Sequence, residues 1–176
     1  MARLPYADLS APAAQPLVER IVAERGSVLH LYQMLLHSVP LAEGWLGFLT
    51  AVRHKCGLAG AIRELVIMRV AALNGAQYEA DQHAPIALKE GMTQAQIDAL
   101  GDWAASDLFS DQERAVLALT DTMTKKVQVP AETLAAVRQY FDDTGVVELV
   151  GTIGAYNMVS RFIEALGIHS HDERHA

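Results

Sequence analysis

The sequence predicts an all-α fold, a single domain of about eight helices. Three observations lead there. Apolar residues recur at the three-to-four residue spacing of one helix face through most of the chain. The breaks between these runs carry helix punctuation: glycine, proline, or a capping pair. Val127-Gln128-Val129 and Val146-Val147 have local strand preference, but neither has a neighbouring run of period-two alternation to pair with.

Taken in order, residues 1–13 read as an arm, because Pro5, Pro12 and Pro16 discourage early helix. The helical domain is expected over 14–168. Leu17, Val18, Ile21 and Val22 mark its first helix, which Arg25-Gly26 ends. Ser27 is a cap candidate for a segment holding Val28, Leu29, Leu31, Leu35 and Leu36, and Pro40 restarts the chain into 41–52. Ala61 to Leu73 is apolar on more than one side, which predicts a central, buried helix. Asn74-Gly75 tolerates left-handed backbone and should stop it. The next helix spans about 76–89, with Pro85 expected to kink it. Thr93-x-x-Gln96 and Ser110-x-x-Glu113 are capping boxes. The first opens a short helix to Leu100, and the second a helix ending at Lys125-Lys126. Pro130 suits the first turn of a helix reaching Tyr140-Phe141. A last helix runs from about Val146 to Leu166, and Gly167 closes it. Residues 169–176, with His169, His171 and His175, read as a frayed, His-rich tail.

Composition narrows the function classes. The 176 residues are 51% hydrophobic, with 14 basic and 21 acidic side chains and a net charge of −7. No long basic run exists, so nucleic acid is not an expected partner. No uninterrupted apolar run of about 18 residues exists, so no membrane partner is expected either. The one cysteine, Cys56, cannot form an intramolecular disulfide, and no signal peptide is visible. The cytoplasm is the expected location. Helices apolar on several sides predict a homo-oligomer that covers some of that surface.

The chemistry-bearing residues concentrate between Glu64 and His83. Glu79 and His83 stand four apart, on one face of the predicted helix. A carboxylate beside an imidazole orients it and fixes its tautomer. Such pairs are also common as solvated surface pairs. Glu64, however, sits within the apolar run 62–70, where few positions meet water. It lies 10 residues before Asn74, and His83 lies 8 after Gly75. An antiparallel hairpin about that turn would bring the two level. Three such groups can serve as acid, base and relay.

The string RELVIMRVAALNGAQYEADQHAPIALKEGMT resembles the carboxymuconolactone decarboxylase family, which includes the alkylhydroperoxidase-like proteins. LYQMLLHSVPLAEGWLGFL and ELVGTIGAYNMVSRFIEALGI extend the likeness over roughly residues 25–168. The resemblance implies an alkylhydroperoxidase-like helical fold assembled as a trimer or hexamer. It places Glu64, Glu79 and His83 at the family's active-site positions. The peroxidase-type members carry Cys-x-x-Cys-x-x-x-His; here Ala76 and Glu79 stand at the two cysteine positions, and only His83 remains. Thiol peroxidase chemistry needs a thiolate and a resolving thiol, so that activity is rejected.

The remaining expectation is acid–base chemistry without a cofactor on a small anionic substrate, a carboxylated lactone or dienoate from aromatic-compound catabolism. Decarboxylation and isomerisation by proton transfer both fit, making the chain a lyase or an isomerase. A lactone hydrolase and a non-catalytic, oligomeric small-molecule-binding protein are the alternatives. His37, Tyr78, Asn157 and Arg161 are the substrate-binding candidates, although His37 equally suits a satisfied interfacial position and Tyr78 suits packing better than reaction. Arg161 follows Asn157 by four residues, so the two share a helix face, and Asn157 can donate to a carbonyl oxygen. Arg53, Arg63 and Arg69 are further cations for a substrate carboxylate, each also suited to an ion pair. Glu64, Glu79 and His83 make a thin ligand set without a second helical histidine, so no metal is expected.

Overall fold

A computed structural model describes residues 1–173; His175 of the expected tail lies outside the described residues. Among the described residues there are nine α-helices and no strand. The helices are α1 (Gln15–Arg25), α2 (His30–Leu35), α3 (Val39–His54), α4 (Gly60–Asn74), α5 (Gln77–Lys89), α6 (Gln94–Ala99), α7 (Asp111–Lys125), α8 (Ala131–Val137) and α9 (Asp143–Leu166). A 3-10 helix, Leu100–Ala105, joins α6 to α7. The chain clusters into two compact units: residues 1–55 with the chain from Ile163 onward, and Cys56–Phe162.

In the first unit Gly26 ends α1 at φ 80°, a left-handed angle glycine adopts without penalty. The segment after it forms only the six-residue α2, entered through Leu29 with no side-chain cap, so Ser27 does not take the capping role expected of it. Residues 1–13 are tied down. Arg3 N–H donates to the Leu166 carbonyl at 2.8 Å, Gln33 Nε2 to the Ala7 carbonyl at 3.0 Å, and Tyr6 Oη to the Asp172 carboxylate at 2.7 Å. Asp172 also accepts from the His169 N–H, and its carbonyl meets His30 Nε2 at 2.9 Å. The expectation of a frayed tail is therefore corrected as far as Asp172: a residue with three such ties orders the chain around it.

The second unit is organised on α4. Leu65, Val66, Ile67, Val70 and Ala71 are buried on several of its sides, as their distribution predicts. Each large aliphatic side chain so buried contributes roughly 1.5–3 kcal/mol. Gly75, at φ 67°, stops α4, and Ala76 N–H bonds back to the Ala71 carbonyl at 2.9 Å. Both capping boxes form, at Thr93/Gln96 and Ser110/Glu113. The helix α5 continues through Pro85 to Lys89. Two expectations change. The short helix does not simply stop at Leu100 but tightens into the 3-10 turn, where Asp102 leaves helical angles (φ −128°, ψ 49°). Pro130 is the residue before α8, and α8 ends at Val137 rather than at Tyr140-Phe141.

Arg69 ties α4 to α7. Its Nε and Nη2 donate to the two Asp121 oxygens at 2.6 and 2.7 Å, and its Nη1 to the Leu100 carbonyl at 2.6 Å. Arg69 is thus removed from the candidate substrate cations. Burial pushes the Asp121 carboxyl up, but hydrogen bonds from Arg69 and Lys125 outweigh it and hold the group below its ordinary value. Replacing Arg69 by Met leaves that carboxylate without its fork. Urea unfolding of the variant is expected to show a loss of about 3 kcal/mol; an unchanged midpoint would mean the pair contributes nothing net.

Candidate active site

The α4–α5 turn sets the geometry. Because the chain reverses at Gly75, Glu64 of α4 and His83 of α5 come level, and His83 Nδ1 lies 2.7 Å from Glu64 Oε2. Glu64 is fully buried and His83 is 8% exposed. Glu64 Oε1 accepts from Arg63 Nε at 3.1 Å, so both oxygens of this carboxylate meet a donor. Sequence spacing suggested Glu79 as the group that orients the imidazole; the hydrogen bond to Nδ1 comes instead from the facing helix. Glu79 is 2% exposed in the first turn of α5, one turn before His83 and beside the helix's positive end.

Burial drives the Glu64 carboxyl upward. The hydrogen bond and charge of His83, then those of Arg63, more than reverse this and hold it below its ordinary value. An ionised Glu64 can only accept, so the contact at 2.7 Å calls for a hydrogen on Nδ1 of His83. A buried carboxylate–imidazole pair of this kind can hold or pass a proton, and it can equally serve as a structural ion pair.

Tyr156 also stands against His83, and sequence reasoning missed it. Its ring stands edge-on to the imidazole, with centroids 5.2 Å apart and planes at 89°. It is almost fully buried on α9. The available signal was its place in YNMVSRF, immediately before Asn157.

The substrate-binding candidates are distributed differently. Asn157 and Arg161 do share a face, and Arg161 donates to the Asn157 side-chain oxygen. They also belong to an internal tie between helices. Asn157 Nδ2 donates to Thr124 Oγ1 and to the Ile153 carbonyl, each at 3.0 Å. Its oxygen accepts from Asn74 Nδ2 at 3.2 Å, and Asn74 reaches Ser160 Oγ at 2.7 Å. Both amide hydrogens of Asn157 thus have protein acceptors, and donation to a substrate carbonyl requires one to be given up. Asn74, which entered the sequence reading only as a turn residue, joins α4 to α9. Tyr78 is buried in the first turn of α5. His37 belongs to the first unit, where its Nε2 lies 2.7 Å from the Pro5 carbonyl. Cys56 is partly exposed; burial, then Glu148, pushes its thiol above the ordinary value, which lowers its nucleophilic fraction. Among the described residues no three His, Cys, Asp or Glu side chains are placed to hold a metal ion. Among them, too, no helix is long and apolar enough to cross a membrane.

Comparison with known proteins agrees with this frame. The model of the carboxymuconolactone decarboxylase family matches residues 40–122, which include Glu64, Glu79 and His83. The uncharacterized protein YdfG of Bacillus subtilis (strain 168) is 35% identical over 107 residues, 60% of this chain and 73% of that protein. Among solved structures, an uncharacterized peroxidase-related protein of Ralstonia eutropha JMP134, described as an alkylhydroperoxidase AhpD core, superposes with a TM-score of 0.83 at 18% identity, covering 97% of this chain and 93% of that one. A variant of the debrominase Bmp8, in complex with 2,3,4-tribromopyrrole, gives a TM-score of 0.78 at 17% identity, covering 96% and 91%. The helical fold is therefore AhpD-like, and the chain belongs to the carboxymuconolactone decarboxylase family.

Proposed function

We propose that this protein is a cofactor-free acid–base enzyme acting on a small carboxylated lactone or dienoate, by decarboxylation or isomerisation. The observation that carries the reading is the buried 2.7 Å pair of Glu64 and His83, with Glu79 one turn away on the same helix as His83. A non-catalytic binding protein has no need of that convergence. In decarboxylation the bond to the departing CO2 breaks and its electron pair enters the conjugated carbonyl as a dienolate. His83, as imidazolium, returns a proton from Nε2 to carbon, and solvent reprotonates it. In isomerisation His83 or Glu79 takes a proton from one carbon, and the proton returns to another. Glu64 stays ionised in both, holding the tautomer and stabilising the cation. Neither route uses a thiol, in keeping with Ala76 and Glu79 at the positions of the redox motif.

The state is read as a homo-oligomer in the cytoplasm. Val147, Val150 and Met158 are exposed large apolar side chains on α9 that a second copy would cover. Substitution His83→Ala is expected to lower kcat on such substrates by about 10²–10⁴-fold, and Glu79→Gln by a similar or smaller factor. Steady-state assays of both variants decide it: turnover unchanged in each would remove the proposed roles.

The same reading requires Glu64 to be charged, which has a pH signature. A carboxyl held below its ordinary value of 4.5 stabilises the fold above that value, and the contribution disappears as pH falls through the lowered folded value. Parent protein should therefore be more stable than Glu64→Gln at neutral pH, and the gap should close below about pH 4.5. Thermal unfolding across pH 2–8 on both proteins checks this (a gap that widens in acid would reverse the assigned sign).

A further inference from the structure

Beyond the Glu64–His83 pair, the charges continue toward solvent. Arg63 Nη2 lies 3.5 Å from Glu90 Oε1, while its Nε holds Glu64 Oε1 at 3.1 Å. The side chains are 0% exposed at Glu64, 12% at Arg63 and 38% at Glu90. With His83 protonated, the order His83, Glu64, Arg63, Glu90 alternates in sign from the interior outward.

Two features mark this as a specific arrangement. Glu90 caps the C-terminal end of α5, where the helix dipole disfavours a carboxylate; Arg63 is the cation that offsets this. Gly60 supplies the room. A Cβ there would sit 1.7 Å from Glu90 Oε2 and 2.5 Å from its Cδ, so any other residue would displace the carboxylate.

We propose that Arg63 and Glu90 are positioning residues that set the proton affinity of the Glu64–His83 pair, and that Gly60 is the cleared space that lets Glu90 reach Arg63. The proposal rests on the proton-transfer reading for its purpose only. Glu64 serves two cations. Arg63 therefore competes with His83 for one carboxylate, and its fixed charge opposes protonation of the pair. Glu90 faces Arg63 from the other side and weakens that opposition. Glu64 from α4 and Tyr156 from α9 stand against the His83 ring, Arg63 meets the other Glu64 oxygen, Glu79 lies one turn before His83 on α5, and Glu90 lies at that helix's C-terminal end. Coupled groups titrate together, so the observable is the apparent titration of the pair.

The test is NMR titration of the His83 ring in the full chain. His83→Gln identifies its signal among the seven histidines. Arg63→Gln should raise the apparent midpoint by about 0.5–1 pH unit, by removing a cation. Glu90→Gln should lower it by roughly a few tenths, since that carboxylate is farther away and partly solvated. Gly60→Ala should lower it like Glu90→Gln, and should add nothing in the double variant. Arg63→Lys, which keeps the charge, should stay near the parent and guards against a misfolded glutamine variant. Circular dichroism confirms the fold of each. A merely structural role would move the unfolding midpoint and leave the titration alone. Unchanged titration in Arg63→Gln, or a shift of the same sign in Arg63→Gln and Glu90→Gln, would overturn the proposal. If the titrations move as expected while the parent is inert on lactones and dienoates, the ladder stands and the enzyme reading falls.

Discussion

A carboxylate with no exposure to water sits on α4, and much of the second unit is arranged around keeping it charged. Glu64 gives one oxygen to His83 and the other to Arg63. Burial opposes the charge strongly; two donors from different directions reverse that opposition. The arrangement demands that α4 and α5 hold one register along their lengths. A slip by one helical position would leave a buried anion without partners, an error worth several kcal/mol.

The polar ties away from the pair serve that register. Arg69 grips Asp121 and the Leu100 carbonyl, fixing α4 to α7. Asn74, Asn157, Ser160, Thr124 and Arg161 connect the end of α4 to α7 and α9. Tyr156, the residue before Asn157 on α9, stands edge-on against His83. Apolar packing alone tolerates sliding; directional bonds do not. Charged residues that look available to a substrate in sequence are here parts of the frame. Three guanidinium groups, of Arg63, Arg69 and Arg161, each have protein oxygens as acceptors.

Ala76 and Glu79 frame the start of α5. Ala76 occupies its position as the residue preceding α5, buried and tied to the Ala71 carbonyl. Glu79 brings a carboxylate to the other position. That first turn of α5 is set by Gly75 and by its packing on α4, whichever side chains it carries.

Local physics made much of this legible in the sequence. Helix identity, the stop at Gly75, both capping boxes and the burial of α4 follow from residue spacing, glycine's freedom and short-range hydrogen bonds. Each involves partners within a few residues. The similar distances of Glu64 and His83 from the turn made their meeting foreseeable once a hairpin was assumed. The tertiary structure alone decided which carboxylate the imidazole bonds, because Glu79 lies one turn away on α5 while Glu64 faces from α4, and only packing chooses. It also decided that Asn157 and Arg161 turn to Thr124, that Tyr156 faces His83, and that Glu90 fills the space over Gly60. Those contacts join residues far apart in the chain, and no local preference encodes where such partners meet.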